Sequence, residues 1–378
     1  MSQLRRPGTL TSRSVTQQRA QEVSVTGHVF RKIREQLALT QESAAEAISV
    51  DKATIQGWES GRRPLASTRA ANLRSLRRTL LRLGADPTML LLLDDALDAD
   101  LLISHALAGP PSPEINQHPL SSWVFTRDVA HLIAWALVGV EPSSIPRPPS
   151  GAPRRRGPAP VSPEMTAAER SAFFTHMRRA AELADHTAEQ GALLRRQALY
   201  LCSYDTATDT GPWLAEMRKH QPGLRDGRWT PHWADVRSVA ASLTRHGDRD
   251  TLRSFIAHGI DDDAGETANL NYWAYWLGLD PHPQPDDSFM VTRSTSAWDG
   301  LSLLRLLSNR LQPDLGCIDL NVHSVWALVA SRRGVLLADP QLNRLLGERI
   351  TALLDQDTIS KQSRRELHAV HYGLKLHA

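Results

Sequence analysis

The chain has 378 residues, of which 41% are hydrophobic and 22% are charged, and its formal net charge at pH 7 is +3. This length allows two or three domains, and the apolar content is ordinary for a globular protein. The only cysteines, Cys202 and Cys317, lie far apart, so neither a disulfide framework nor a thiolate metal site is expected.

The charge is unevenly distributed along the chain. Residues 1–82 carry 15 Lys and Arg against 6 Asp and Glu, whereas the remainder carries more acidic than basic residues. A basic segment joined to an acidic one is typical of a polyanion-binding domain with a separate regulatory domain. The N-terminus lacks the apolar core of a signal peptide, and the apolar run near 129–140 is too short to span a bilayer. We therefore expect a soluble, cytoplasmic, nucleoid-associated protein with no membrane partner.

The first segment, residues 1–24, is polar, basic and without periodicity, which predicts a disordered arm. Two interpretations stay open for it. It is either a solvated tail, or an arm that contacts phosphate groups or the minor groove beside a main nucleic-acid site.

A helix-turn-helix pattern follows in residues 39–64. Gln41 opens an amphipathic helix, and Ala45 is small where two helices must cross closely. Residues 49–51 form a three-residue turn, whose Asp51 can cap a second helix by accepting a bond from a free N–H group. Gly61 ends that helix in the manner of a left-handed C-cap. The pattern predicts a short polar helix that is held out for insertion into a major groove.

This segment resembles the lambda-repressor-like, xenobiotic-response-element (XRE) family of helix-turn-helix proteins over residues 27–83. The matching positions are Arg34, Gln41, Glu42, Ala45, Ile48, Val50, Thr54, Ile55, Glu59, Gly61 and Pro64. The resemblance implies that Arg34 and Glu59 form a structural ion pair. It also implies that Gln41 and Ser60 contact backbone phosphate groups of double-stranded DNA.

The same resemblance implies a set of side chains that face base edges. These positions are Lys52, Ala53 and Gly57, with Thr54 and Gln56 close by. By its chemistry, a lysine can donate to guanine and a glutamine can pair with adenine. Arg62 and Arg63 are expected to contact phosphate, which positions the helix without reading sequence.

Two residues, Ala44 and Ser49, depart from the family pattern, and a third, Trp58, can compensate for one of these departures. Ala44 replaces a leucine, which predicts a thinner core that Trp58 can refill. Ser49 replaces a glycine in a left-handed turn, which makes the turn more costly.

Three more helices are predicted before the middle of the chain, over residues 67–83, 88–108 and 119–140. The leucine-rich helix at 88–108 is either buried core or a dimer seam. We assign residues 25–86 to the DNA-binding domain and 87–140 to a helical connector or dimerisation segment. Residues 141–163 are rich in Pro and Arg and are interpreted as a linker and domain boundary.

Residues 164–378 show helical spacing throughout, with turn signals between the segments and no sustained strand alternation. We therefore predict an all-α fold: an N-terminal helix-turn-helix domain and a larger C-terminal regulatory domain of stacked helical hairpins.

No motif for hydrolytic, nucleotide-binding or metalloenzyme chemistry occurs in the sequence. We therefore expect no enzyme activity, no cofactor and no metal. The densest aromatic segment contains Tyr272, Trp273 and Trp276 on one helix. It is either ordinary core or part of a pocket for a small effector, with Asn269 as a polar partner.

The leading hypothesis is a sequence-specific transcription regulator that binds double-stranded DNA as a homodimer and senses an effector, or another protein, through its C-terminal domain. In overall texture the chain also looks like the large two-domain regulators of this family from high-GC actinobacteria. The alternative is a helical scaffold for protein–protein interaction, with DNA contact secondary.

Overall fold

The structure is a computed structural model that describes residues 24–146, 162–184, 189–219, 229–260, 262–280, 282–356 and 358–376. The predicted basic arm, apart from its last residue, lies outside these residues. So do residues 147–161 of the predicted linker.

The described residues form seventeen α-helices and no strand, which confirms the all-α fold class. The helices of the N-terminal half are α1 Val25–Gln36, α2 Gln41–Ile48, α3 Lys52–Glu59, α4 Ala70–Arg82, α5 Pro87–Leu107, α6 Arg127–Val138, α7 Ala167–Ala184 and α8 Glu189–Cys202. Those that follow are α9 Thr210–Lys219, α10 Pro231–Thr244, α11 Asp250–Gly259, α12 Asp263–Trp276, α13 Phe289–Thr292, α14 Gly300–Ser308, α15 Ile318–Ser331, α16 Pro340–Leu354 and α17 Lys361–Leu376. No described helix combines the length and the apolar character that crossing a membrane would require.

One predicted helix is shorter than its apolar pattern suggested. The pattern extends over residues 119–140, but the helix begins only at Arg127. The backbone before it is bonded elsewhere: the Val124 N–H donates to the Gln284 carbonyl at 2.8 Å, and the Phe125 N–H donates to Gln197 Oε1 at 2.8 Å. These long-range partners replace the i to i−4 bonds that a helix would make.

The described residues divide into two compact units. The first lies within Met1–Pro110 and Asp128–His176, and the second within Pro111–Arg127 and Met177–Ala378. Residues 164–176, predicted as the start of the C-terminal domain, therefore lie in the first unit. The described flanks of the predicted linker are packed there as well, because Ile145 and Met165 are buried and the Met165 N–H donates to the Ala136 carbonyl at 2.9 Å.

In the first unit, α1 packs against α5. Val25, Val29 and Ile33 recur at four-residue spacing on α1 and are all buried, which is the apolar stripe of an amphipathic helix. Gly27 on the same helix meets the last turn of α3, where an added Cβ would lie 3.1 Å from the Glu59 carbonyl oxygen. A glycine at this position lets the two helices approach closely.

Asp100 of α5 caps the first turn of α1. Its carboxylate accepts the Val25 N–H at 2.8 Å, the Thr26 N–H at 3.1 Å and the Ser24 hydroxyl at 3.2 Å. Helix N-termini have N–H groups with no partner inside the helix, and a negative charge is favourable there. Burial raises the pKa of Asp100 above its ordinary value, and the bonds from Ser24, Val25 and Thr26 oppose that rise. Part of the gain from these bonds is therefore offset by desolvation of the carboxylate.

We expect Asp100→Ala to lower the free energy of unfolding of the first unit by about 2–3 kcal/mol, because buried N–H donors lose a charged acceptor. Hydrogen exchange of the first turn of α1 in the full-length chain is the measurement. Asp98→Ala on the same helix is the matched control, since Asp98 is exposed. Equal protection of Val25 and Thr26 in the two variants would contradict the capping role.

In the second unit, helices adjacent along the chain pack in pairs: α10 with α11, α14 with α15, and α16 with α17. Further contacts join α8 to α10 and α15 to α17. This unit is an array of helical hairpins of the kind that the sequence predicted.

Candidate functional site

Local hydrogen bonds define both ends of α2 and α3. Thr40 and Ser43 form a capping box at the start of α2, with the Thr40 N–H donating to Ser43 Oγ at 2.8 Å and the Ser43 N–H donating to Thr40 Oγ1 at 3.1 Å. Asp51 caps α3 by accepting the Thr54 N–H. Hydrogen bonds from Thr54 and the nearby positive charge of Arg63 lower the pKa of Asp51, which favours the charged form of the cap.

The turn between the two helices uses a left-handed residue that is not glycine. Ser49 has φ 62° and ψ 47°, a conformation that L side chains adopt at some energetic cost. After α3, Gly61 adopts φ 73° at no such cost. The chain then turns back, with the Arg63 N–H donating to the Gly57 carbonyl at 3.0 Å.

A buried ion pair ties α1 to the end of α3. Arg34 Nε lies 2.5 Å from Glu59 Oε1, and Arg34 Nη2 lies 3.2 Å from Glu59 Oε2. Arg34 is only 7% exposed, and its Nη1 also donates to the Leu39 carbonyl at 2.7 Å. Gln41 Nε2 donates to Glu59 Oε2 at 2.7 Å. The carboxylate therefore joins α1, α2 and α3 through charge-assisted bonds.

Trp58 fills the core behind α3. Its ring meets that of Phe30 edge to face at a centroid distance of 5.7 Å. Aromatic pairs prefer this arrangement. Ile55, on the same helix, is fully buried. The apolar side of α3 is thus held by α1, while its other side is directed to solvent.

The exposed side of α3 carries the side chains that the sequence assigned to base edges. Lys52 and Ala53 are exposed, and Thr54 and Gln56 are partly exposed. The Lys52 side chain is 52% exposed, and its Nζ lies 3.6 Å from the exposed Glu42 carboxylate. An exposed ion pair of this length contributes little to stability. Lys52 can therefore exchange Glu42 for another partner.

Gly57 is placed differently from the other four base-facing positions. It is buried, and an added Cβ would lie 3.1 Å from Arg63 Cδ, because the Arg63 side chain covers it. Arg63 Nη1 then reaches Thr54 Oγ1 at 3.3 Å. The arginine expected at phosphate therefore lies over the predicted reading side of α3.

The other predicted phosphate contacts surround this helix. Ser60 and Arg62 are exposed beyond its C-terminus, with Arg62 Nε donating to Ser60 Oγ at 3.2 Å. The Gln41 amide bonds Glu59 and, at 3.4 Å, Gln56. Its position at the start of α2 also offers main-chain N–H groups, which suit an anion at a helix N-terminus.

A groove of about 630 Å³ lies beside α3 and was not expected from the sequence. It is lined mainly by basic, hydroxyl and amide side chains, including Thr54, Arg62, Arg63, Thr68, Arg69 and Asn72. The sequence pattern predicts a helix over residues 67–83 that includes Arg69, and no role is predicted for this residue. Arg69 lies directly before α4, where it can face α3 across the turn. This position was the signal that could have placed Arg69 in the groove.

The four residues of the suggested effector pocket are all buried in the second unit. Three of them surround Arg237: Asn269 Oδ1 accepts its Nε–H at 3.1 Å, and the rings of Tyr272 and Trp273 lie 4.0 and 5.2 Å from its guanidinium carbon. The fourth, Trp276, stacks on Tyr272 at 5.9 Å. It also contacts other aromatic rings, which makes it part of the core.

The family model described as Helix-turn-helix matches residues 30–73. This match confirms the lambda-repressor-like, XRE-type resemblance for that segment, and the segment is a helix-turn-helix DNA-binding domain of a transcription regulator. No curated protein and no solved structure matches the chain.

Proposed function

We propose that the protein is a sequence-specific transcription regulator that inserts α3 into the major groove. Its residues 30–73 form a helix-turn-helix domain. The observation that carries this proposal is the two-sided character of α3. Ile55 and Trp58 hold it from behind, whereas Lys52, Ala53 and Gln56 face outward. A helix fixed in this way presents side chains to the major groove, and no free energy is needed to order the helix on binding.

The proposed base contacts are Lys52, Ala53, Thr54 and Gln56, with Arg63 taking the place of a side chain at Gly57. Ser60, Arg62 and the N-terminal end of α2 at Gln41 would bind phosphate groups. Together these positions combine groups that read base edges with groups that fix the register of the protein on the duplex.

We further propose that the protein binds a two-fold site as a homodimer. Four leucines at the end of α4 and on α5 support this: Leu81, Leu83, Leu91 and Leu101 are 40–61% exposed. Large apolar side chains left exposed on two consecutive helices are candidates for an interaction surface. The second unit is proposed to sense an effector or to bind another protein.

In vitro selection of random DNA duplexes by the full-length protein tests the function. Recovery of a motif with two related half-sites is the expected result, and the half-site spacing reports how the two subunits bind. Recovery of no motif, with only weak salt-sensitive binding, would instead favour a helical scaffold with secondary DNA contact.

On the selected duplex, we expect Lys52→Ala to weaken binding by about 1–3 kcal/mol and to relax the preference at one base pair. Titration of the selected site and of its single-base variants is the measurement. Lys361→Ala is the matched control, because Lys361 is an exposed lysine in the second unit. Unchanged affinity in the Lys52 variant would remove this residue from the reading surface.

A further inference from the structure

Two arginines in the second unit share one aromatic ring and have no acidic partner among the described residues. The guanidinium carbons of Arg237 and Arg310 lie 5.2 and 4.9 Å from the centroid of the Trp273 ring. Among the residues that the structure describes, no carboxylate lies within salt-bridge distance of either. Both carry a buried nitrogen, Arg237 Nη2 and Arg310 Nε, with no hydrogen-bond partner there.

Arg237 is the more deeply placed of the two, with only 4% of its surface exposed. One nitrogen is used, since its Nε donates to Asn269 Oδ1 at 3.1 Å. Asn269 is itself fixed, because its Nδ2 donates to Ser324 Oγ at 2.9 Å. The Tyr272 ring supports the guanidinium at 4.0 Å. This arrangement fixes the orientation of the guanidinium and leaves its Nη2 without an acceptor.

Arg310, the other arginine of the cluster, is only partly buried. Arg245 is exposed, and its guanidinium carbon lies over the rings of Tyr200 and Tyr204 at 4.7 and 4.1 Å. Burial lowers the pKa of Arg310; Tyr200 and Cys317 oppose this shift, and the positive charges of Arg127 and Arg245 add to it. Burial and the charges of Arg196 and Arg310 lower that of Arg237 in the same way.

Other buried arginines of the same unit are paired. Arg195 bonds the buried carboxylate of Asp235, and Arg196 bonds that of Asp287 through two nitrogens. These two buried arginines are therefore neutralised by buried carboxylates. A buried charge without a counter-charge is strongly unfavourable, and contact with aromatic rings compensates for only part of it.

We infer that Arg237 and Arg310 form the binding site for the oxyanion group, a phosphate or a carboxylate, of a small anionic effector. The planar fork of an arginine matches both groups. The anion would supply the missing charge and accept the free N–H groups. This inference rests on the proposal that the second unit senses an effector, and it names the chemical class of that effector.

Thermal unfolding of the full-length chain tests the inference, with orthophosphate and citrate as probes and chloride at matched ionic strength as the reference. A ligand that binds only the folded state raises the midpoint in a saturable way. We expect a saturable rise with at least one probe. A response to orthophosphate alone assigns the site to phosphate, and a response to citrate alone assigns it to carboxylate. A rise that does not saturate, or no rise with either probe, would overturn the inference.

Two variants and a control assign any response to the cluster. Arg237→Met and Arg310→Met should each raise the anion concentration at half-saturation by at least about tenfold, because a charged hydrogen bond is lost. Arg344→Met is the control, since Arg344 is exposed elsewhere in the unit. Arg237→Met should fold, because an apolar chain replaces an unpaired charge. Should it not fold, the partly exposed Arg310 still decides the question. Identical titrations for wild type and the folded variants would refute the site.

DNA binding in the same buffers separates this inference from the proposed function. If the anion saturates the arginine cluster but affinity for the selected duplex is unchanged relative to chloride, the site stands and the sensing role fails. If the duplex is bound but neither probe saturates, the site fails and the DNA-binding role stands.

Discussion

Replacing Glu59 by alanine is expected to lower the free energy of unfolding of the first unit by about 3–5 kcal/mol, the usual cost of removing one partner of a buried ion pair. The reason is the charge that remains: Arg34 is 7% exposed and bonds Glu59 at 2.5 Å. Gln41 loses its acceptor in the same step. Urea unfolding of the full-length chain, followed by hydrogen exchange of α1 to α3, gives the stability of this unit separately from the other.

Glu46→Ala is the matched control for that experiment, because Glu46 is an exposed residue of α2. A second comparison tests whether the charge itself is responsible. The double variant Arg34→Met with Glu59→Leu should recover most of the lost stability, since apolar side chains can replace a buried ion pair. Equal exchange rates for the Glu59 and Glu46 variants would contradict a locking role for this pair.

The second large effect is expected from Asp287→Ala. The Arg196 Nε–H donates to Asp287 Oδ2 at 2.6 Å, and both side chains are buried. Removing the carboxylate leaves the buried charge of Arg196 without a counter-charge. The guanidinium carbon of Arg196 lies 5.9 Å from the centroid of the Tyr272 ring, which Arg237 also contacts. We expect a loss of about 3–5 kcal/mol in the second unit.

Hydrogen exchange of α8 and α12 measures that loss, and Asp314→Ala is the control, because Asp314 is exposed in the same unit. The selected duplex should be bound normally by the folded Asp287 variant. A stability unchanged from that of the Asp314 variant would mean that Arg196 finds another acceptor when Asp287 is absent.

The helix-turn-helix could be predicted from the sequence because its signals are local. The cap at Asp51 and the positive φ at Gly61 each depend on bonds within a few residues, and such bonds leave a readable residue type at a fixed spacing. The Arg34–Glu59 pair spans 25 residues, and only the family resemblance suggested it.

Features that depend on long-range partners could not be predicted. Nothing near Asp100 indicates that it accepts N–H groups 74 and 75 residues away. Likewise, Arg237 of α10 and Arg310, in the turn after α14, meet through Trp273 of α12. In the aromatic segment, periodicity alone could not separate Trp273 beside the arginines from Trp276 in the core. Which residues share a cluster is decided by tertiary packing, and the local periodicity of a sequence does not reveal it.

The cap that Asp100 supplies to α1 determines how small an autonomous piece of this protein can be. A fragment ending at residue 86 would contain every side chain proposed to touch DNA, yet it would lack the carboxylate that holds Val25 and Thr26. It would also expose the stripe of Val25, Val29 and Ile33 that α5 covers. The smallest independently folding reader of DNA therefore extends at least to Leu107, the end of α5. The proposed recognition of a duplex and the proposed pairing of subunits thus depend on the same helix.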